Sequence, residues 1–194
     1  MKHENNKICY TNEKLKEIIE KHKKWLNYEK DGEKANLQGV DLRSADLQGA
    51  NLRSANLRNA NLQGTNLQSA NLRSADLQGA DLQSADLLSA YLQGADLRSA
   101  NLQGVDLQGA NLQGADLRSA DLQDADLQDA DLRRADLQDA DLQDADLRRA
   151  DLRIADLQRA DLQGANLQGA DLDFSALRAA PPVFDGLCGS VGDS

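Results

Sequence analysis

The sequence predicts an all-β solenoid, and three observations carry that prediction. Twenty-eight consecutive pentapeptides, from Ala35 to Phe174, have Leu at the third position without exception. The first position is Ala except at Val40, Thr65 and Val105, and the second is Asp or Asn except at Tyr91. Only 3% of the residues are aromatic, too few for an ordinary globular core but enough where a column of leucines forms the interior. A period this short and strict marks stacked repeats.

The period itself excludes the regular elements. In an α-helix five residues turn about 500°, so successive leucines would drift around the axis by roughly 140° and leave no apolar stripe. In a flat strand an odd repeat would throw Leu37 and Leu42 to opposite faces. A short extended piece followed by a corner of about 90° satisfies both constraints, because Ala and Leu, two apart, then point the same way. Four corners close a square coil, so that residue n lies against residue n+20 at one inter-strand spacing of ~4.8 Å. Twenty-eight repeats make seven coils, with Leu on the axis and Ala where the sides crowd together. The Asp or Asn of each repeat is expected to bond a neighbouring N–H at the corner. Gly and Ser at the fifth position are read as small residues admitted by that corner.

Before the repeats lies a piece of different composition. All nine lysines and six glutamates fall within residues 1–34, whereas the repeats use Arg and Asp. Leu15, Ile18, Ile19, His22, Trp25 and Leu26 recur at helical spacing, Thr11 stands where an N-cap should, and Gly32 follows the end. This predicts an amphipathic helix over residues 12–27 whose apolar face covers the first coil, because an open solenoid end exposes leucines and unpaired edges. The residues before it, including His3, are read as a loose terminus. Beyond Ala180 the pattern breaks at Pro181 and Pro182, which cannot donate to a ladder. The expected organisation is a helical cap over 1–34, the solenoid over 35–174, and a terminal turn and tail over 175–194.

The tandem A-[DN]-L-x-x pattern over residues 35 to 174 resembles the pentapeptide repeat family. The resemblance implies a right-handed quadrilateral β-helix, so the fold class expected is an all-β solenoid of about seven coils with an N-terminal α-helical cap. Most of the family has no assigned biochemical role, and the expectation for this chain is a non-enzymatic structural or protein-interaction scaffold whose specific role the sequence does not name. Some members bind type II topoisomerases such as DNA gyrase, acting as DNA mimics. Those carry loop insertions and a C-terminal dimerisation element, and this chain departs on both counts: its repeats run uninterrupted and its tail is short.

Nothing in the sequence points to catalysis. The histidines are His3 and His22 alone, and no nucleophile elbow, phosphate loop or paired Cys cluster occurs. His22 reads as a structural residue on a helix face. An unbroken solenoid also offers no loop insertion to form a pocket. Cys9 and Cys188 flank opposite ends of the stack, too far apart for a disulfide, and read as free thiols. We expect no enzyme activity, no metal and no cofactor. With no apolar leader or spanning segment, a cytoplasmic protein without membrane contact is expected.

Charge is the informative functional feature. Residues 35–114 hold seven Asp and five Arg, whereas residues 115–164 hold fourteen Asp and seven Arg. The later coils are acidic, and Asp116, Asp121, Asp124, Asp126, Asp136, Asp141 and Asp144 form a candidate interaction surface. Stacking at twenty residues predicts that Asp129 meets Arg149, that Asp139 meets Arg159, and that Asp124 faces Asp144 without relief. Such a field repels nucleic acid directly and suits a basic protein partner. Residues 120–134 recur identically as 135–149, so the acidic zone grew by duplication. Ile154 and Phe174 fall one coil apart at one corner, and with Phe184 they make a candidate apolar contact or dimer patch, giving a monomer or a C-terminal homodimer. Leu88 beside Tyr91 is a second apolar exception on the surface.

Overall fold

The computed structural model describes residues 2–4 and 7–172. From residue 35 onward, the chain winds as a square coil. Second-position residues bridge in parallel to those twenty further on, from Asn36↔Asn56 through Asp151↔Asp171. Six complete coils and most of a seventh lie within the described residues. The protein is a quadrilateral β-helix, as its period predicts.

The reason this pentapeptide repeats lies in its backbone amides, all five of which find an acceptor. In the repeat at Ala55, the Asn56 N–H donates to Ala35 O of the coil before at 3.0 Å, and the Leu57 N–H to Asp76 O of the coil after at 2.7 Å. The Asn59 N–H donates to Gln78 O at 3.0 Å, and the next repeat's Ala60 N–H closes the corner on Leu57 O at 3.0 Å. The remaining amide, on Arg58, donates to the Asn56 side chain, Oδ1, at 3.2 Å. That last bond explains the Asp/Asn rule, since without it one amide per repeat has no acceptor. The repeat at Tyr91 is the one described repeat that lacks it.

The fifth position corrects the reading of small residues at a tolerant corner. Each described fifth residue has positive φ, from 53° at Asn59 to 74° at Gly164, and sits at the third place of a Leu-x-x-Ala turn. That is the type II turn, which needs a left-handed residue there. Gly meets the requirement freely. Arg134, Arg149, Arg159 and Ile154 occupy it as well, so conformation and not size is what the corner selects.

Ala and Leu fill the interior, with the third-position leucines from Leu37 to Leu152 at most 4% exposed. Thr65, one of the first-position exceptions, is buried and donates its hydroxyl to Leu42 O at 2.9 Å. Burial loosens at the far end, where Leu167 and Leu172 are only half-buried.

Two elements meet the first coil. The strand β1 (Lys2–Glu4) pairs antiparallel with β2 (Lys7–Cys9), and β2 pairs in parallel with β3 (Val40–Asp41), so that Ile8 stands opposite Val40. The expectation of a loose terminus therefore fails: the backbone around His3 completes a three-stranded sheet on the coil's free edge, a use of an exposed ladder that needs no apolar pattern. The helix α1 (Asn12–Leu26) starts at Thr11, whose Oγ1 accepts from the Lys14 N–H at 3.2 Å. Its Leu15 is buried in the core cluster, with Ile18 and Ile19 packed against it. Gly32 is required by crowding, since a Cβ there would lie 2.4 Å from the Trp25 backbone N.

His22 fixes α1 to the solenoid. It is fully buried, its Nδ1 accepts from the Ala35 N–H at 3.0 Å, and its Nε2 lies 3.1 Å from Arg53 O. Those partners require a neutral ring with the proton on Nε2. Burial pushes its pKa below the usual imidazole value, against a smaller opposing effect of the Arg53 carbonyl. Trp25 stacks on the ring, centroids 5.5 Å apart.

Candidate interaction surface

Stacking sorts the charged residues by face. The first face begins at Ala35, the second at Val40, the third at Ala45 and the fourth at Ala50, each recurring every twenty residues. Over residues 35–172 the first face carries six Asp and four Arg, the second seven Asp and one Arg, the third six Asp and two Arg, and the fourth three Asp and five Arg. Net charge is thus −2, −6, −4 and +2 around the rod. The gradient along the chain runs along the axis of the rod, and across the rod the most acidic face stands opposite the one positive face.

The predicted acidic residues fall on three of these faces. Asp116 and Asp136 stack on the first, where they are bridged by Arg: Arg118 contacts Asp116 at 2.6 Å and Asp136 at 3.5 Å, and Arg98 also reaches Asp116 at 3.5 Å. The Arg118 hydrogen bond holds the Asp116 carboxyl below the usual carboxylate range. Asp121, Asp124, Asp141 and Asp144 share the second face and its corner, and Asp126 is on the third.

Most of these carboxylates are occupied. Gln123 donates to Asp141 at 2.6 Å, Gln143 to Asp161 at 3.0 Å and Gln108 to Asp126 at 2.5 Å, each linking one coil to the next. The pairs expected at twenty residues are present, with Arg149–Asp129 and Arg159–Asp139 both at 2.6 Å. Asp124 and Asp144 differ: both are exposed at the corner between the second and third faces, and no partner contacts either carboxylate among the described residues. Asp81 and Asp161 of the second face were missed in the sequence set. Sorting positions by remainder on division by twenty would have found them.

Ile154 lies at the corner after the fourth face, 57% exposed. Phe174 and Phe184, the other members of the predicted apolar patch, lie outside the described residues, as does Cys188. Leu88 and Tyr91 are exposed at the corner between the third and fourth faces, and the Arg73 guanidinium sits 4.6 Å from the Tyr91 ring centroid.

A groove of ≈ 680 Å³ opens where the cap meets the second face, lined among others by Tyr10, Leu15, Leu42 and Gln83. The expectation of a pocketless rod took account only of loop insertions; this hollow arises from the step between helix and coil. No cluster of three or more His, Cys, Asp or Glu among the described residues could hold a metal ion. No described helix is long and apolar enough to cross a membrane.

A family model for pentapeptide repeats matches eight copies, over residues 35–73, 75–114, 115–153 and 155–180. The chain belongs to the pentapeptide repeat family. With its relatives of solved structure, this pentapeptide repeat protein shares the right-handed quadrilateral β-helix. Among them is HetL of the cyanobacterium Nostoc sp. strain PCC 7120, a protein involved in heterocyst differentiation regulation, 32% identical over 77% of this chain and 90% of its own, with a TM-score of 0.23. A second is a thylakoid lumen protein of Arabidopsis thaliana, 28% identical over 54% of this chain and 66% of its own, TM-score 0.34. A third is trypsin-treated QnrB1, a plasmid-mediated fluoroquinolone resistance protein, 24% identical over 74% of this chain and 78% of its own, TM-score 0.42. No curated protein is similar to the chain at the level of sequence.

Proposed function

We propose that this pentapeptide repeat protein is a non-enzymatic interaction scaffold whose second and third faces receive a basic protein partner. The observation that carries the reading is the pairing pattern on those faces. They hold thirteen Asp against three Arg, and at their shared corner Asp124 and Asp144 extend unpartnered carboxylates one coil apart. Backbone bonds and glutamines hold the ladder rigid, so little side-chain entropy is lost when a cationic surface docks. His22 serves the cap with both ring nitrogens and takes no part.

A narrower form of the reading is a DNA mimic that binds a type II topoisomerase. What favours it is the regular axial spacing of anions, with Asp121, Asp141 and Asp161 stacked coil upon coil along one rod. Supercoiling by gyrase and by topoisomerase IV, titrated with this protein with and without a quinolone at two salt concentrations, tests it. The mimic reading expects inhibition or protection that weakens with salt and is reduced by Asp124→Asn with Asp144→Asn. Asn tolerates the left-handed backbone both positions adopt. An unchanged enzyme at high protein concentration removes the mimic and leaves the broader scaffold reading, which capture of basic partners by wild type but not by the double variant would support.

A further inference from the structure

The acidic faces leave the opposite side of the rod without a role, and that side departs from the rest of the molecule in three ways. It is the one face with net positive charge. Nine of the twelve arginines in residues 35–172 contact a carboxylate, and the three that do not, Arg53, Arg73 and Arg134, all belong to the fourth face. In a chain with 32 acidic residues, three guanidinium groups with no carboxylate partner among the described residues leave uncompensated positive charge on one face, Arg73 meeting only the neutral Gln93 Oε1, at 2.9 Å, and the Tyr91 ring.

The third departure is in the surface rule. Tyr91 is the single second-position residue that is neither Asp nor Asn, and it forgoes the corner hydrogen bond that every other described repeat makes. Leu88 is the one apolar residue at a fourth position, and it lies three residues away at the same edge. Both are exposed, and Arg73 lies over the Tyr91 ring. Further along the face, Gln113, Arg133, Arg134, Arg153 and Ile154 line a groove of ≈ 290 Å³. Tyr and Arg are the residues in which interface binding energy concentrates.

We propose that the fourth face is a second docking surface, and that its occupant is an extended acidic polypeptide segment of a protein partner. Charge complementarity selects an anion: Arg53 and Arg73 are one coil apart, Arg134 lies farther along, and each can take a carboxylate by a forked pair of hydrogen bonds. Width selects a single polypeptide over a nucleic acid duplex. One face is five residues across and its neighbours are acidic, so a duplex laid on it would bring its phosphates against the first and third faces. Tyr91, Leu88 and Ile154 give apolar side chains of the segment somewhere to lie, which phosphates would not use.

The test uses the full chain and a fluorescein-labelled peptide of alternating Glu and Leu, about twelve residues long to span the face, with oligothymidylate of equal charge as the competing anion. Fluorescence anisotropy at low salt, about 50 mM, reads the binding. The expected result is binding of the peptide and not of the oligonucleotide. Affinity should fall at least about tenfold in the triple variant Arg53→Gln, Arg73→Gln, Arg134→Asn. Tyr91→Asn restores the corner hydrogen bond, so it should weaken binding several-fold without lowering the melting temperature; this separates a contact role from a structural one. All four residues are on the surface, and circular dichroism checks that the variants keep the coil.

Equal binding by the triple variant, no binding by wild type, or equal binding of oligothymidylate overturns the proposal, the last by assigning the face to nucleic acid. The double variant Asp124→Asn, Asp144→Asn should leave peptide binding within about twofold, because both positions stand at the corner between the second and third faces and touch none of the residues of the fourth. Failure of this inference and failure of the basic-partner reading are therefore distinguishable, each by its own variant.

Discussion

The Asp or Asn of each repeat serves one amide, and its loss should be felt singly. Asp106 accepts from the Gln108 N–H at 3.0 Å. Replacing it with Ala should cost about 1 kcal/mol in urea denaturation, whereas Asn, which keeps the acceptor, should be close to neutral. The fifth position makes the opposite prediction. Ile154 holds a β-branched side chain at φ 63°, a conformation that costs such residues roughly 1 to 2 kcal/mol. Ile154→Gly should therefore raise the unfolding midpoint, provided that no partner contact is being measured at the same time. A drop would mean that Ile154 makes packing contacts that outweigh its backbone strain.

At the scale of the element, the coil depends on its axis and the cap on one histidine. Leu107 is fully buried, so Leu107→Asp would place a charge on the leucine column and should abolish cooperative folding, while Gln113→Asp, on the surface near Arg133, should change stability by less than about 1 kcal/mol. Gln108 is a poorer control than its sequence suggests, because it donates to Asp126 and a carboxylate there would face a carboxylate. The cap is pH-sensitive in a defined direction. The His22 pKa is lowered on folding, by burial first and then by the nearby charges of Lys34 and Arg53, so the unfolded chain binds the proton more readily than the native one. Stability that is full above pH 6.5 should decline as the pH falls from there toward the folded value. Urea midpoints at pH 7.5 and 5.5, compared between wild type and His22→Gln, check this: the decline should be present in the first and absent in the second. A separate loss belongs to the Asp–Arg ladders. The carboxyls of Asp96, Asp116, Asp131 and Asp151 are held low by their arginine hydrogen bonds, so what they contribute persists above the ordinary value of 3.8 and is lost only as pH falls through their folded values.

For the whole molecule, the distribution of charge matters more than its sum. A rod of net charge −10 would be expected to repel every anion, yet one of its four faces is positive. At physiological salt, screening acts over about 8 Å, so a partner senses the face it approaches and not the total. Basic partners should accordingly bind with an affinity that falls as salt rises and with a dependence on Asp124 and Asp144 that Arg134 does not share. Isothermal titration at two ionic strengths, with a lysine-rich peptide as the probe, would measure both. A variant pattern that is the same for both faces would show that total charge, and not its placement, governs association.

Leu at every fifth residue was sufficient to determine a square coil, because no straight helix or strand can keep such a period on one face. Asp and Asn at the second position likewise announced a corner hydrogen bond, and the helical spacing of Leu15, Ile18, Ile19 and His22 announced the element α1. The short strands β1 and β2 were not legible, since a backbone edge recruits a strand through its unpaired N–H and C=O groups and leaves no trace in the side-chain pattern. The meaning of the fifth position was also hidden, because Gly, Ser and Asp share small size with a tolerance of positive φ, and only Arg134, Arg149, Ile154 and Arg159 at that conformation separate the two. The acidic residues were legible as a set but not as a surface. A sequence is read in order, whereas a solenoid sorts its residues by their remainder on division by twenty. Folding alone placed Asp121 beside Asp141 and Asp161, paired Asp116 with arginines from its own coil and the one before, and gathered Arg53, Arg73, Arg134 and Tyr91 on the opposite face.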